Sequence, residues 1–227
     1  MKFLSGLLGI LCFSSISLNG LKPKAIHELK KIYMYNCKNP SDICEHLPAL
    51  YALARECSSV VEIGVRSMVS TWALLYGLAS NKSCSKKYIA IDLNYPPSDG
   101  LTKATQLAQN CGIHFEFLQA NDMNIDVNNT ELLFIDSLHT YCHLLYELEK
   151  FSPKATKYIA LHDTSEPWGL INDCEYTGDY SEYPAHFDCT KNGLWPAVQD
   201  FLAKHPEWAL HKRYLNCHGL TILKRIA

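Results

Sequence analysis

Apolar runs rich in β-branched and aromatic residues recur along the chain, each stopping at a polar residue and alternating with segments of helical period. "SVVEIG" (59–64), "KYIAID" (87–92), "HFEFLQA" (114–120), "ELLFID" (131–136) and "KYIALHD" (157–163) read as strands. "STWALLYGLA" (70–79), "LTKATQLAQNCG" (101–112, closed by glycine) and "TYCHLLYELEKF" (140–151) read as helices. In the last of these, Tyr141, Leu144, Leu145 and Leu148 share one face. This alternation constrains the fold more than any other feature. Strands that are apolar on both sides must be covered by helices on both faces. Strand–helix–strand units close right-handed, so the expected fold is a doubly wound, mostly parallel α/β sheet.

Further along, "LWPAVQDFLAKHP" (194–206) reads as a helix, and "WALHKRYL" with "GLTILKRI" as a closing hairpin. Residues 21–58 form an expected N-terminal helical segment, built from "AIHELKKIYMY" and "DICEHLPALYALARE", the second capped by Asp42. Residues 59–227 form the α/β domain. Residues 165–193 break the rhythm with Asp, Gly, Pro and Tyr and read as an inserted loop or lid. Its aromatic residues Trp168, Tyr176, Tyr180, Tyr183, His186 and Phe187 suit the face of a sugar or phenol.

The opening "MKFLSGLLGILCFSSISLNG" (1–20) has the grammar of a signal peptide: a basic start, an apolar centre and a small or polar finish. It is too short and serine-rich for a stable membrane span. A cleaved signal implies an extracytoplasmic protein; otherwise the chain is cytoplasmic. Net charge is −2 with no Lys/Arg block, so no nucleic-acid partner is expected. The sequence leaves homo-oligomerisation open.

The ten cysteines are scattered without a C-x-x-C pair, which argues against a zinc knuckle. Cys174 and Cys189 flank the polar loop and are the expected bridge in an oxidising compartment, whereas Cys57, Cys111 and Cys142 are expected as buried thiols. Asn81-Lys-Ser and Asn128-Asn-Thr match the glycosylation sequon.

In open parallel sheets, ligands bind beyond the carboxyl ends of the strands. Those ends carry Glu62 and Gly64, Asp92, Asn121 and Asp122, Asp136, and His162 with Asp163, a polar rim over one crevice. The first turn, "EIGVRSMVST", holds one glycine rather than G-x-G-x-x-G, and no P-loop is present, which disfavours a dehydrogenase or an NTPase. Gly64 lets the backbone turn near a ligand, and the helix beginning near Ser70 offers unpaired N–H groups to a carboxylate or phosphate. Asp92 is placed to accept from a ribose diol. An adenosine-bearing ligand without a pyrophosphate fits both features.

The order "VVEIGVRSMVST", "YIAIDLN", "LQAND", "LLFIDSLHTY", "YIALHDT" resembles the class I S-adenosylmethionine-dependent methyltransferases. Within them it is similar to the metal-dependent small-molecule O-methyltransferases: the catechol, macrolide-sugar and cephalosporin hydroxylase–rhamnosyl methyltransferase-like groups. The likeness spans about 59–164, with a similar tail in "GLWPAVQDFLAKHPEW". It implies a Rossmann-like, mostly parallel seven-stranded sheet with a closing antiparallel hairpin. It also implies S-adenosylmethionine as cofactor, a divalent metal (Mg²⁺ or Mn²⁺), and methyl transfer to a small-molecule hydroxyl acceptor. By the same resemblance Glu62, Gly64 and Ser70 hold the methionine part, Asp92 the ribose, and Asn121 and Asp122 the adenine. Asp136, His162 and Asp163 fall on the metal positions, and Asp136 and His139 on the catalytic ones.

Two residues depart from that pattern. Met68 stands where many relatives carry a second glycine, so its side chain is expected to crowd the cofactor or force another loop path. His162 stands at a carboxylate position, and imidazole suits Mn²⁺, Fe²⁺ or Zn²⁺ at least as well as Mg²⁺. These departures, with the export signal expected over 1–20, motivate a second expectation, an exported non-catalytic methyltransferase-fold binding protein. A third, a secreted cysteine-rich interaction protein, predicts no adenosine binding.

Overall fold

A computed structural model describes residues 18–170, 173, 174, 178 and 180–227 of the chain. The expected signal segment lies outside the described residues over 1–17, as does Tyr176.

Seven strands, β1 (Ser59–Ile63), β2 (Lys86–Asp92), β3 (Ile113–Gln119), β4 (Thr130–Ile135), β5 (Ala155–His162), β6 (Trp208–Tyr214) and β7 (Leu220–Arg225), form one sheet. Their order is β3-β2-β1-β4-β5-β7-β6. The first five in that order are parallel, and β7 runs antiparallel to both β5 and β6. The winding reverses between β1 and β4, which in an open α/β sheet leaves a crevice at the carboxyl ends. Ile63 pairs with Ile91 and with Ile135, and Ile135 pairs with Leu161. The carboxyl tips of β1, β2, β4 and β5 therefore end level, on one edge.

Among the described residues the α-helices are α1 (Leu18–Lys38), α2 (Leu47–Arg55), α3 (Val69–Ser80), α4 (Ser98–Asn110), α5 (Tyr141–Phe151) and α6 (Leu194–Lys204). Strand side chains alternate between two cores, as the pleat requires. Val60, Tyr88, Ala90, Leu132 and Phe134 face Leu29, Leu50, Leu74 and Ala104 of the first four helices. Val61, Ile89, Ile91, Leu133 and Ile135 face Leu144, Leu148, Val198 and Phe201 of α5 and α6. Among the described residues no helix is long and apolar enough to cross a membrane.

Three expectations are corrected. Asp42 does not cap the second helix. That helix starts at Leu47, after a 3₁₀ turn over Cys44–His46. Pro48 lacks an N–H and is tolerated only in a first helical turn, so the α-helix cannot begin further back. The Asp42 carboxylate pairs with Arg66 at 2.6 Å. Helix α4 begins at Ser98 rather than 101, because Pro97 ends the link and Asp99 sits favourably in the first turn. Cys189 bonds to Cys142 of α5, not to Cys174. The bridge thus fastens the loop to a helix instead of joining the loop's own ends. Cys57 and Cys111 are buried free thiols, as expected.

Candidate functional site at the strand tips

The turn after β1 is shaped by backbone crowding. Gly64 has φ +87°, and a Cβ there would strike the Asp136 carbonyl. The close approach that demands glycine is thus to the neighbouring strand rather than directly to a ligand. Asp136 N–H donates to the Ile63 carbonyl at 2.8 Å, stitching the two tips together. Asp92 Oδ2 accepts from the amides of Val65 (2.8 Å) and Arg66 (2.9 Å), and its Oδ1 from Asn94 (2.8 Å). Asp92 is therefore the clamp that holds the turn. Arg66 and Met68 take left-handed conformations, φ 43° and 67°. Met68 does not crowd the crevice. It is 1% exposed, packs in the core under the first helices and reaches Gly100 of α4. The loop has adopted a glycine-like path with a side chain turned inward.

Glu62 lies one residue inside β1 and faces α3. It is fully buried and lines neither cavity described below. Ser70 donates to its Oε1 (2.6 Å), while Thr71 (2.8 Å) and Tyr88 (2.6 Å) donate to Oε2. Burial pushes its carboxyl up to about 7, against the three hydroxyl donors that favour the ion. Glu62 fixes Ser70, and Ser70 is what reaches the crevice.

Two cavities occupy that crevice. The larger, about 410 Å³, spans the tips of β1 to β4 and is lined by Gly64, Asp92, Asn121, Asp122 and Asp136, with Glu182 and Tyr183 from the long loop. The smaller, about 100 Å³, lies between the Gly64–Ser70 turn and the Asp136–His139 turn. Gly64, Val65, Arg66, Asp136 and Ser137 line both, so the two adjoin. Apart from Glu62, His162 and Asp163, every sequence-predicted site residue lines one of them.

Asp136, His139, His162 and Asp163 converge beside the smaller cavity. Asp163, at φ 56°, turns its carboxylate back across the end of β5. His139 Nε2 lies 2.9 Å from Asp163 Oδ2 and 3.6 Å from Asp136 Oδ1. His162 Nδ1 lies 3.3 Å from Asp136 Oδ1 and 3.2 Å from Asp163 Oδ2. Its Nε2 faces the Cys217 carbonyl at 3.2 Å, which fixes the N–H there and turns Nδ1 to the carboxylates. Donor atoms of Asp136, His139 and Asp163 all lie within 4.8 Å of one another. Burial alone would depress both imidazoles, but hydrogen bonds and charge from the two aspartates outweigh it, raising His139 to about 9 and His162 to about 10. The same contacts overcome burial at Asp136 and Asp163 and hold both carboxyls below their usual range. Two carboxylates facing two imidazole nitrogens match the donor set of a divalent transition ion better than the all-oxygen set Mg²⁺ prefers.

Sequence reasoning missed a second buried group. His143 Nε2 lies 2.9 Å from Asp122 Oδ2 and 3.8 Å from Glu147 Oε1, while Ser137 donates to Glu147 Oε1 at 2.7 Å. Burial and the neighbouring Asp122 push the Glu147 carboxyl well above the usual range. The His143/Glu147 spacing of four on α5 was the available signal, masked because the leucines of that helix marked its core face. His46 was missed as well. It is buried behind His162, rings 5.8 Å apart, with Nε2 on the carbonyls of Asn216 and Cys217.

The loop after β5 borders the site at several points. Trp168 stands 5.9 Å from the His139 ring, and Cys174 N–H donates to the His139 carbonyl. Asp173 accepts from Gly193 N–H (2.6 Å) and Tyr141 N–H (3.0 Å), at the starts of α6 and α5. Tyr183 is 5% exposed, with its hydroxyl 2.8 Å from His143 Nδ1.

No family model and no curated protein matches the chain by sequence. Solved structures match it by shape. The SAH-bound methyltransferase PaMTH1 of Podospora anserina is 13% identical, with 99% of this chain and 100% of that one covered at TM-score 0.52. A methyltransferase from Geobacter sulfurreducens is 14% identical, with 90% of each chain covered at TM-score 0.52. The O-methyltransferase TomG of Streptomyces achromogenes, solved with SAM, is 12% identical, with 90% of each chain covered at TM-score 0.50. At these identities the likeness establishes the fold, the Rossmann-like fold of class I methyltransferases.

Proposed function

We propose that the chain is an S-adenosylmethionine-dependent O-methyltransferase acting on a small hydroxylated acceptor, a sugar or a phenol, with help from a divalent ion. The observation that carries this reading is the junction of the two cavities. A crevice large enough for an adenosyl group runs along the tips of β1 to β4 and meets the Asp136–His139–Asp163 cluster.

In this reading the ribose hydroxyls bond to the lone pairs Asp92 keeps beyond its three amide contacts. Asn121 and Asp122 border the adenine. The first amides of α3, around Ser70, receive the methionine carboxylate. Asp136, His162 and Asp163 would hold the ion; Mn²⁺, Fe²⁺ and Zn²⁺ suit this set. The chemistry such an ion would supply is a lowered pKa and a fixed orientation for the acceptor hydroxyl. His139 would serve as the base once the ion's charge offsets the two aspartates that otherwise keep its imidazole protonated, and Trp168 and the strand tips confine the acceptor. Positioning does the remaining work, since a sulfonium is a good leaving group.

Calorimetry with S-adenosylhomocysteine, with and without Mn²⁺, tests the cofactor, and transfer of labelled methyl to a panel of diols and phenols tests the reaction. Binding that ignores the ion and survives Asp136→Asn, with no transfer to any acceptor, would favour the non-catalytic binding protein. Absence of adenosyl binding rejects both.

A further inference from the structure

Asp122, His143 and Glu147 lie across Ser137 from the Asp136 cluster, and the chemistry proposed above uses neither His143 nor Glu147. Their donor atoms lie within 4.8 Å of one another, and the residues are 8%, 5% and 0% exposed. His143 and Glu147 are one turn apart on α5, so both reach the same point. Asp122 is presented to them by a 3₁₀ turn over Asp122–Asn124, which the Asn121 side chain caps by accepting from Met123 N–H.

Three features point to a cation. First, the Glu147 side chain is completely buried, yet its Oε2 has no hydrogen-bond partner. Such a buried carboxyl must be neutralised by a proton or by an ion; the raised Glu147 carboxyl keeps a proton in the empty group, and a cation would displace it. Second, the nearby cation is spent elsewhere: Lys150 Nζ donates to the main-chain carbonyls of Asp122 and Met123, both at 2.7 Å. Third, the Tyr183 hydroxyl lies 2.8 Å from His143 Nδ1 and is able to accept an N–H there, the tautomer that would free Nε2 to bind an ion in place of its hydrogen bond to Asp122. Asp122 and His143 also line the larger cavity, which gives an ion a path in and leaves positions for water.

We propose that Asp122, His143 and Glu147 form a second divalent-cation site, taking Mn²⁺ or Zn²⁺, in the wall of the large cavity. One imidazole nitrogen and two carboxylates are the donor types those ions accept. Occupancy would tie the 3₁₀ turn after β3, α5 and, through Tyr183, the long loop to one point beside the cavity. The proposal does not depend on methyl transfer.

The test counts ions on the full chain after chelator treatment and reloading with Mn²⁺, by paramagnetic resonance and elemental analysis. Wild type is expected to hold two ions per chain. The double variant Asp136→Asn/Asp163→Asn is expected to hold one, with nitrogen hyperfine coupling that vanishes when His143→Ala is added. Glu147→Gln keeps the volume and an acceptor for Ser137, and is expected to lose one ion while circular dichroism stays native. No ion on the Asp136→Asn/Asp163→Asn variant, nitrogen coupling there that survives His143→Ala, or a folded Glu147→Gln that holds as many ions as wild type overturns the proposal. Affinity for S-adenosylhomocysteine in the same preparations reports separately on the methyltransferase reading.

Discussion

His162 Nδ1 faces Asp136 Oδ1 at 3.3 Å, across the tips of two adjacent parallel strands. The other ring nitrogen is held by the Cys217 carbonyl, so the imidazole has one free direction, toward the carboxylates. Asp136→Asn removes charge from that point without changing its size. The expected result is methyl transfer slowed about 100-fold or more, with Mn²⁺ binding weakened in parallel. Initial rates across a Mn²⁺ titration check this, and unchanged rates in the variant would contradict a metal-assisted site.

Glu62 gives a pH signature. In the folded chain burial holds its proton up to about 7, whereas in the unfolded chain it is released near the ordinary 4.5. A folded-state pKa raised this way stabilises fully below the unfolded value and is lost as pH rises through the folded one. This group should therefore remove on the order of 3 kcal/mol of stability between roughly pH 4.5 and 7. Glu62→Gln has no such proton, so its urea-unfolding free energy should fall less steeply over that window. Parallel slopes for the two proteins would show that Glu62 ionises normally.

Met68 is a packing residue despite its place beside the crevice. Met68→Ala is expected to cost about 2–5 kcal/mol in urea unfolding, the usual range for emptying a buried methionine site. Affinity for S-adenosylhomocysteine should stay within a few-fold, because the side chain points away from both cavities. A large affinity change with little loss of stability would mean that the side chain faces the cofactor.

The Cys142–Cys189 bridge closes a loop across a sequence separation of 47. Chain-entropy reasoning assigns such a loop about 4 kcal/mol. Peptide mapping without reductant should recover this pair with Cys174 free, and Cys142→Ser should lower the melting temperature under oxidising conditions. Recovery of a Cys174–Cys189 peptide would restore the pairing expected from sequence.

Much of the framework was legible beforehand because it rests on local periodicity. Each of the five apolar runs became a strand, and the hairpin at the end formed where its alternation lay. The turn residues Gly64, Asp92, Asp136 and Asp163 stood out because parallel strands must end at a shared edge. Their meeting follows from strand order and register. His162 was legible for the same reason, as the last residue of a strand.

The rest was settled at longer range. Glu62 looked like a rim residue until the pleat placed it under α3, and Met68 looked obstructive until a left-handed turn sent it into the core. The Cys142–Cys189 bridge, the backing of His162 by His46 and Cys217, and the Asp122–His143–Glu147 group all join segments far apart in the chain. Sequence alone determined the alternation of strands and helices and the polar residues at the strand ends, because backbone propensity and hydrophobic period act between near neighbours. Tertiary structure alone decided which of those polar groups share a cavity and which are buried against one another, because that depends on how distant elements pack.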